Sequence, residues 1–383
     1  MQRKEYLLLA LILAIPFSFY FFNPVIYGAD TFYYLDSICN GSPLVADSPA
    51  TVFIFSLLPC DFVFLKILLY FLALIALLGV TQTGKLLYKK NGWLAGLFVF
   101  LNPIFVFGMT KLENENFAIP LLFWANYFAI KAKLSKGKER WRNAVIAIGL
   151  VCIAGLFWEG AAYYLVGFGL LALPFVLPAI TTIIVYGNQL IGNLIPRPGM
   201  WEAEFGLALL FLGLNLFTIA GFFLNSAIVL IGIYWFAILI LMAPLAINAV
   251  PWLAIATVAL FNYLPFRKLD AVLKVPFWDT IQTILIISCI FMPFVFGYAI
   301  TVSQPPSQAD LGVVQEWVAL QDSGREAKNG FSYGYWIKFY GGKPTAWAGH
   351  HIQDFNTGIV LTHFDLNCTM LNQTRIMKLF DCG

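Results

Sequence analysis

Apolar and polar stretches alternate along the first three hundred residues, and the apolar stretches are too long to be the core elements of a soluble domain. A helix needs about 20 apolar residues to cross a bilayer. Such runs lie near 5–24, 62–80, 93–110, 116–131, 144–158, 161–187, 204–224, 226–248, 249–265 and 280–301. They predict membrane-spanning helices joined by short polar loops. The first run lacks a small-residue cleavage site and continues into Phe21-Phe22-Asn23-Pro24, so it reads as an uncleaved anchor. The run 161–187 contains Pro174 and Pro178 and crosses either once or twice, which puts the total at about ten or eleven.

The charges between these runs are sorted by side. Lys131, Lys133, Lys136, Lys138, Arg140 and Arg142 crowd one loop, Lys85, Lys89 and Lys90 another, and Arg3 and Lys4 precede the first run. Basic loops mark the cytoplasmic face, so the N-terminus is expected there. The alternate loops carry Asp30, Asp36, Asp47, Asp61, Glu113, Glu115, Glu159, Glu202 and Glu204 and are expected outside. Arg267, Lys268 and Lys274 precede the last run, and two passes within 161–187 put them on the cytoplasmic side with the others.

Composition agrees with that pattern. Hydrophobic residues make up 60% of the 383, charged residues only 11%, and mean hydropathy is +0.80. A soluble domain is about a quarter charged. A soluble enzyme, a disordered chain and a nucleic-acid binder with a basic face are excluded. The fold class is an all-α polytopic membrane protein, with residues 1–301 as the transmembrane domain.

Residues 302–383 differ in character. They hold all three histidines and open on Gln304-Pro305-Pro306-Ser307, a linker pattern. A short helix is expected over 310–320, and strand and loop over the Gly- and aromatic-rich stretch from Gly330 to Gly349. This makes a small α/β outer domain. Cys39 and Cys60 flank the first outer loop, and Cys368 and Cys382 lie in the tail; both pairs suit disulfides in an oxidising space. Asn40-Gly41-Ser42, Asn367-Cys368-Thr369 and Asn372-Gln373-Thr374 fit the N-glycosylation pattern on the same side.

Two acidic clusters carry the candidate chemistry. One is Tyr27-Gly28-Ala29-Asp30-Thr31-Phe32-Tyr33-Tyr34-Leu35-Asp36, after the first run; the other is Lys111-Leu112-Glu113-Asn114-Glu115-Asn116, before the fourth. Two carboxylates at i and i+2, met by a third from another loop, make an oxygen-rich site suited to Mg²⁺ or Mn²⁺. Such an ion can hold a phosphate leaving group. The plainer reading is that outer loops need polar residues. Against it, Glu113 and Glu115 abut an apolar run, where acidic side chains are expensive without partners. No Gly-rich phosphate loop, HExxH or CxxC competes. Between Phe205 and Phe266 there is no charged residue, which disfavours a charge-coupled transporter.

The order of motifs resembles the catalytic subunit of oligosaccharyltransferases, of the GT-C superfamily of membrane glycosyltransferases. Asp30, within Gly28-Ala29-Asp30-Thr31-Phe32-Tyr33-Tyr34-Leu35, is similar to the family's first outer-loop Asp. Glu113-Asn114-Glu115 is similar to its DxD or DxE motif, and Phe157-Trp158-Glu159-Gly160 to a Trp-Gly-aromatic segment. Tyr333-Gly334-Tyr335-Trp336-Ile337, then Tyr340-Gly341-Gly342-Lys343-Pro344-Thr345, resembles the family's WWDYGYWI and the GGRPT-like run that follows it. Glu316-Trp317-Val318 fits the helix upstream. The match covers most of the chain in order, in compressed form.

This resemblance implies a metal set of Asp30, Glu113 and Glu115, holding Mn²⁺ or Mg²⁺ for catalysis. It implies a polyprenyl-phosphate-linked sugar donor taken from the membrane lipids, and an acceptor read by Phe331, Ser332, Tyr333 and Asn193. There the chain departs from the pattern. Gly330-Phe331-Ser332 stands where the family has WWD, whose Asp binds the Ser or Thr of the acceptor sequon. Asn193 stands where a Glu helps hold the acceptor, and the uncharged block 205–266 offers no Arg for the donor diphosphate. The expected activity is a glycosyltransferase with an altered acceptor: protein, glycan or lipid. A non-catalytic relative that binds lipid-linked glycan, or assists a larger transferase, fits the lost motifs. A flippase for lipid-linked sugar is the third reading.

Overall fold

The structure is a computed structural model that describes residues 2–22, 26, 31–44, 49–101, 103–158, 161, 250–251, 254–255, 258, 283–284, 286–295, 307–330, 333–345, 355, 357–362, 365–374 and 376–383. Helices dominate: α1 Gln2–Phe22, α2 Thr31–Asn40, α3 Pro49–Leu57, α4 Phe62–Tyr88, α5 Leu94–Phe98, α6 Pro103–Met109, α7 Glu115–Leu134 and α8 Gly137–Phe157. An apolar helix α9, Ile286–Val295, follows, then α10 Gln308–Asp322, β1 Ala327–Asn329, α11 Gly334–Phe339, β2 Ile359–Thr362, β3 Thr369–Gln373 and β4 Lys378–Asp381. Among the described residues three helices are long and apolar enough to cross a membrane: Lys4–Phe21 within α1, α4, and α8. The runs expected at 204–224 and 226–248 lie outside the described residues, as do 161–187 and 249–265 in large part.

Two compact units divide the chain. One comprises Met1–Ser18, Leu69–Met109 and Asn114–Tyr298; the other comprises Phe19–Leu68, Thr110–Glu113 and Ala299–Gly383.

In the first unit, α1 and α4 run antiparallel. Glu5 pairs with Lys85 at 2.6 Å, and Gln82 Nε2 donates to the Tyr6 hydroxyl. Further along, Tyr70 donates to the Ala10 carbonyl and Phe17 meets Tyr70 edge-on. Charged and polar groups thus pair where the run leaves its apolar stretch. Leu7, Leu11, Phe71, Val145 and Ile153 remain exposed, as lipid-facing side chains must be. The turn after α4 folds back so tightly that a Cβ on Gly84 would lie 2.1 Å from the Gly92 carbonyl oxygen; only glycine fits. Helices α7 and α8 form an αα-hairpin, and Gly79 lets α4 approach the α7 backbone at Phe123.

The expected span at 93–110 is corrected here. Instead of one helix, α5, a 3₁₀ turn at Val99–Leu101 and α6 share that stretch. Pro103 explains the break: it has no N–H, disfavours helix in the residue before it, and suits the first position of a new helix.

In the second unit, the tail forms a four-stranded sheet in the order β1-β2-β4-β3. β1 pairs parallel with β2, and β4 pairs antiparallel with both β2 and β3. Ser307 and Asp310 cap α10 reciprocally, each satisfying an orphan N–H of the first turn. Trp317, fully buried, fixes α10 to the sheet by donating to the Lys328 carbonyl. The stretch from Gly330 to Gly349, expected as strand and loop, contains α11 instead. Trp336 and Ile337 bury one side of that turn, and tertiary packing overrides the glycine-rich local signal.

Both cysteine pairs are joined. Cys39 is bonded to Cys60 and Cys368 to Cys382; Cys152 and Cys289 are free. The tail bond closes a span of 14 residues. Replacing Cys368 and Cys382 by Ser should destabilise the tail by about 3 kcal/mol, the loop-closure entropy restored to the unfolded chain. Limited proteolysis of the full chain reads this as earlier cleavage after residue 307. Unchanged resistance would show that the bond adds nothing to tail stability.

Candidate functional site

The helix α2 begins at Thr31, the residue after Asp30. Its buried positions are Thr31, Phe32, Tyr34, Leu35 and Asp36, so Phe32 and Asp36 share a face at i, i+4 spacing. Thr31 is fully buried, and its hydroxyl accepts the backbone N–H of Leu112 at 3.0 Å across 81 residues of sequence. A buried backbone N–H outside regular structure needs such an acceptor. One hydrogen bond therefore joins the residue that follows Asp30 to the residue that precedes Glu113.

Asp30 itself lies outside the described residues, as do Phe331, Ser332 and Asn193. Glu113 is half-buried in the loop before α7, and Glu115 is half-buried at the first position of α7. An acidic side chain in that first turn also complements the positive end of the helix. Among the described residues no group of three or more His, Cys, Asp or Glu gathers to form a metal centre.

The local donor set nevertheless suits a hard cation. Asn116 is fully buried, and its Nδ2 donates to the Gly108 carbonyl. That bond fixes the amide orientation and leaves Oδ1 buried with no hydrogen-bond partner. Asn116 follows Glu115 in the chain, and amide and carboxylate oxygens are the donor types that favour Mg²⁺ or Mn²⁺ over softer metals.

The tail motif packs on the same helix that starts at Thr31. Phe32 meets Trp336 and Phe339 edge-on, and Tyr33 meets Tyr335. Lys338 Nζ lies 3.1 Å from Asp36 Oδ2, an ion pair by distance although its angle falls short of a hydrogen bond. Asn40 Nδ2 bridges the two helices, donating to Asp36 Oδ1 and to the Phe339 carbonyl. Asp36 is thus a structural carboxylate that clamps α2 to α11.

Tyr333, expected to touch an acceptor, is buried at 3% exposure, and its hydroxyl donates to the Ile376 carbonyl at 2.7 Å. Burial, with the nearby Asp310 charge, raises its pKa, so the phenol stays neutral and a donor. The bond to Ile376 leaves none of its hydroxyl's donor capacity for a substrate.

Sequence reasoning passed over Thr31 and the Asp36–Lys338 pair. Phe32 and Asp36 at helical spacing signalled the buried face; nothing local signalled the partners, which lie about three hundred residues away in the tail. It also passed over Lys66, a cation in an apolar run, here buried over the Tyr20 ring at 5.0 Å.

Thr31 gives a sharp prediction. Thr31→Val leaves the Leu112 N–H buried and unpaired, at a cost of about 1–3 kcal/mol, whereas Thr31→Ser keeps the acceptor. If the acidic motifs hold Mn²⁺, its affinity should fall about tenfold in the first, the equivalent of about 1.4 kcal/mol, and recover in the second. Equal affinity in Thr31→Val and the unmodified chain would show that this bond does not hold the acidic motifs in place.

No family model matches the chain, and no curated protein sequence matches it. In fold it is similar to the oligosaccharyltransferase of Archaeoglobus fulgidus, solved in complex with zinc and sulfate. The TM-score is 0.57 at 14% identity, over 89% of this chain and 62% of that one. It is also similar to ArnT from Cupriavidus metallidurans, solved bound to undecaprenyl phosphate. There the TM-score is 0.58 at 11% identity, over 98% of this chain and 97% of that one. The chain spans less than two thirds of the oligosaccharyltransferase it matches. The resemblance read from the motifs is matched in fold by these two structures: the chain is mostly helical, with a small sheet in its tail.

Proposed function

We propose that the chain is a membrane glycosyltransferase that moves a sugar or oligosaccharide from a polyprenyl phosphate or diphosphate donor to an acceptor on the outer face. The observation that carries this reading is the Thr31–Leu112 hydrogen bond. It ties Thr31, next to Asp30, to Leu112, next to Glu113, within the unit that also holds the tail motif, while Glu115 and Asn193 belong to the other unit. The undecaprenyl phosphate bound to the similar ArnT supports a lipid-phosphate donor. The zinc in the similar oligosaccharyltransferase supports a divalent cation, for which we name Mn²⁺ or Mg²⁺ from the oxygen donors.

In this mechanism Asp30, Glu113 and Glu115 would hold the cation. The cation supplies neutralisation of the charge that develops on the leaving phosphate. Thr31 keeps the two motifs in register, because preorganised charge stabilises a transition state more than charge that must first be gathered. Phe331, Ser332 and Asn193 meet the acceptor, and Tyr333, which follows the first two in the chain, is held by its bond to Ile376. Ser332 offers a hydroxyl where the resembled family has a carboxylate, so a sequon hydroxyl loses its charged acceptor. This favours an acceptor other than a standard sequon. The orientation proposed with this reading places the N-terminus in the cytoplasm and the tail outside.

The test is transfer of labelled sugar from polyprenyl-phosphate-linked donors by the purified chain, with the divalent ion removed by chelator and restored. Transfer that stops with the chelator and returns with Mn²⁺ or Mg²⁺ is the expected result. A chain that binds donor and transfers nothing to protein, glycan or lipid acceptors would point to the non-catalytic reading that Ser332 and Asn193 also permit.

A further inference from the structure

Three tripeptides of this chain fit the N-glycosylation pattern, and the structure treats them differently. Transfer to such a site needs two free groups: the asparagine amide nitrogen, which takes the sugar, and the hydroxyl two residues on, which is read by the transferase. At Asn40 the nitrogen is committed twice, to Asp36 Oδ1 at 2.8 Å and to the Phe339 carbonyl at 3.1 Å. Breaking those bonds would open the α2–α11 clamp. At Asn372 the nitrogen donates to Glu316 Oε2 at 2.6 Å. The hydroxyl of the same tripeptide, on Thr374, accepts the Met377 N–H and lies within reach of its carbonyl.

Asn367 is different on every count. It is exposed, and no described group accepts from or donates to its side chain. Thr369, two residues on, is exposed at the start of β3. The turn that carries Asn367 is tied down on both sides of it. Asp365 pairs with Lys378 of β4, and Cys368 is bonded to Cys382, just past the end of β4. The asparagine is therefore held at the surface of the folded tail with its amide directed to no protein partner.

We propose that Asn367 is the N-glycan acceptor of this chain, and that Asn40 and Asn372 are not. The donor class is a lipid-linked oligosaccharide. The bond from the sugar's anomeric carbon to the phosphate oxygen breaks, the bond from that carbon to Nδ2 forms, one amide proton goes to a base of the transferase, and the lipid phosphate leaves. The site also has a use. β3 is an edge strand with all five residues exposed, Met370 and Leu371 among them. An open apolar edge invites pairing with another chain, and a bulky polar glycan at its head would block that approach. The inference rests on the outer placement of the tail and stands independently of the chain's own catalytic activity.

The experiment produces the full chain in a eukaryotic host whose secretory pathway N-glycosylates, and digests it with an N-glycan-releasing amidase. A single mobility shift is expected. Asn367→Gln and Thr369→Ala should each abolish it by separate routes, and Asn40→Gln and Asn372→Gln should leave it unchanged. Thiol alkylation of Cys368 and Cys382 on the same samples separates the two ways of failing. No shift with both thiols protected overturns the assignment of Asn367 while the tail remains outside. No shift with both thiols freely alkylated overturns the outer placement, and the proposal with it. A shift that persists in Asn367→Gln overturns the choice among the three sites.

Discussion

Glu113→Gln together with Glu115→Gln should lower sugar transfer by at least about a thousandfold, equivalent to about 4 kcal/mol of transition-state stabilisation. Both substitutions keep shape and remove charge, so the expected loss is in the stabilisation of the leaving phosphate. Folding should change little. Both residues are half-buried, and α7 loses a favourable helix-end charge worth under about 1 kcal/mol. The measurement is initial transfer rate at saturating donor, alongside thermal unfolding. A variant with full turnover would remove these residues from the site. A variant that unfolds at lower temperature by many degrees would make them structural instead.

The second large effect concerns the clamp, and its sign pattern is asymmetric. The Asp36 side chain is 3% exposed and the Lys338 side chain 26% exposed. Lys338→Met strands a carboxylate that water cannot reach, and breaking a buried pair this way costs about 3–5 kcal/mol. One Asp36 oxygen keeps the Asn40 bond, which places the expected cost at the lower end, about 3 kcal/mol. Asp36→Asn leaves a lysine that can reach solvent, and should cost only about 1 kcal/mol. The double variant should recover much of the Lys338→Met loss. Chemical denaturation of the four proteins checks this order. Equal destabilisation by the two single changes would mean the pair is solvated and α11 is held by its aromatic contacts alone.

The membrane class, the helical body and the small tail were legible because long apolar runs and a late change in composition are local signals. Pro103 was equally visible, and its break in the run 93–110 follows from elementary backbone chemistry. The acidic motifs were legible as motifs. What joins them was not: the Thr31 hydroxyl meets a backbone N–H that no side-chain pattern announces. The same holds for Asp36, which reads in sequence as one more outer-loop acid. Its partner Lys338 lies in a segment that glycine and aromatic content had marked as strand and loop, and the buried faces of Trp336 and Ile337 made it helix. Tyr333 shows the reverse case. Its motif was recognisable, while its hydroxyl turns inward to Ile376, a choice set by packing across the sheet.

The most direct test of the central claim is Mn²⁺ binding to the detergent-purified chain by electron paramagnetic resonance, with undecaprenyl phosphate present. The unmodified chain should bind the ion, and Glu113→Gln/Glu115→Gln should lose it. Equal binding by both proteins, or none by either, would contradict a cation held by the joined acidic motifs.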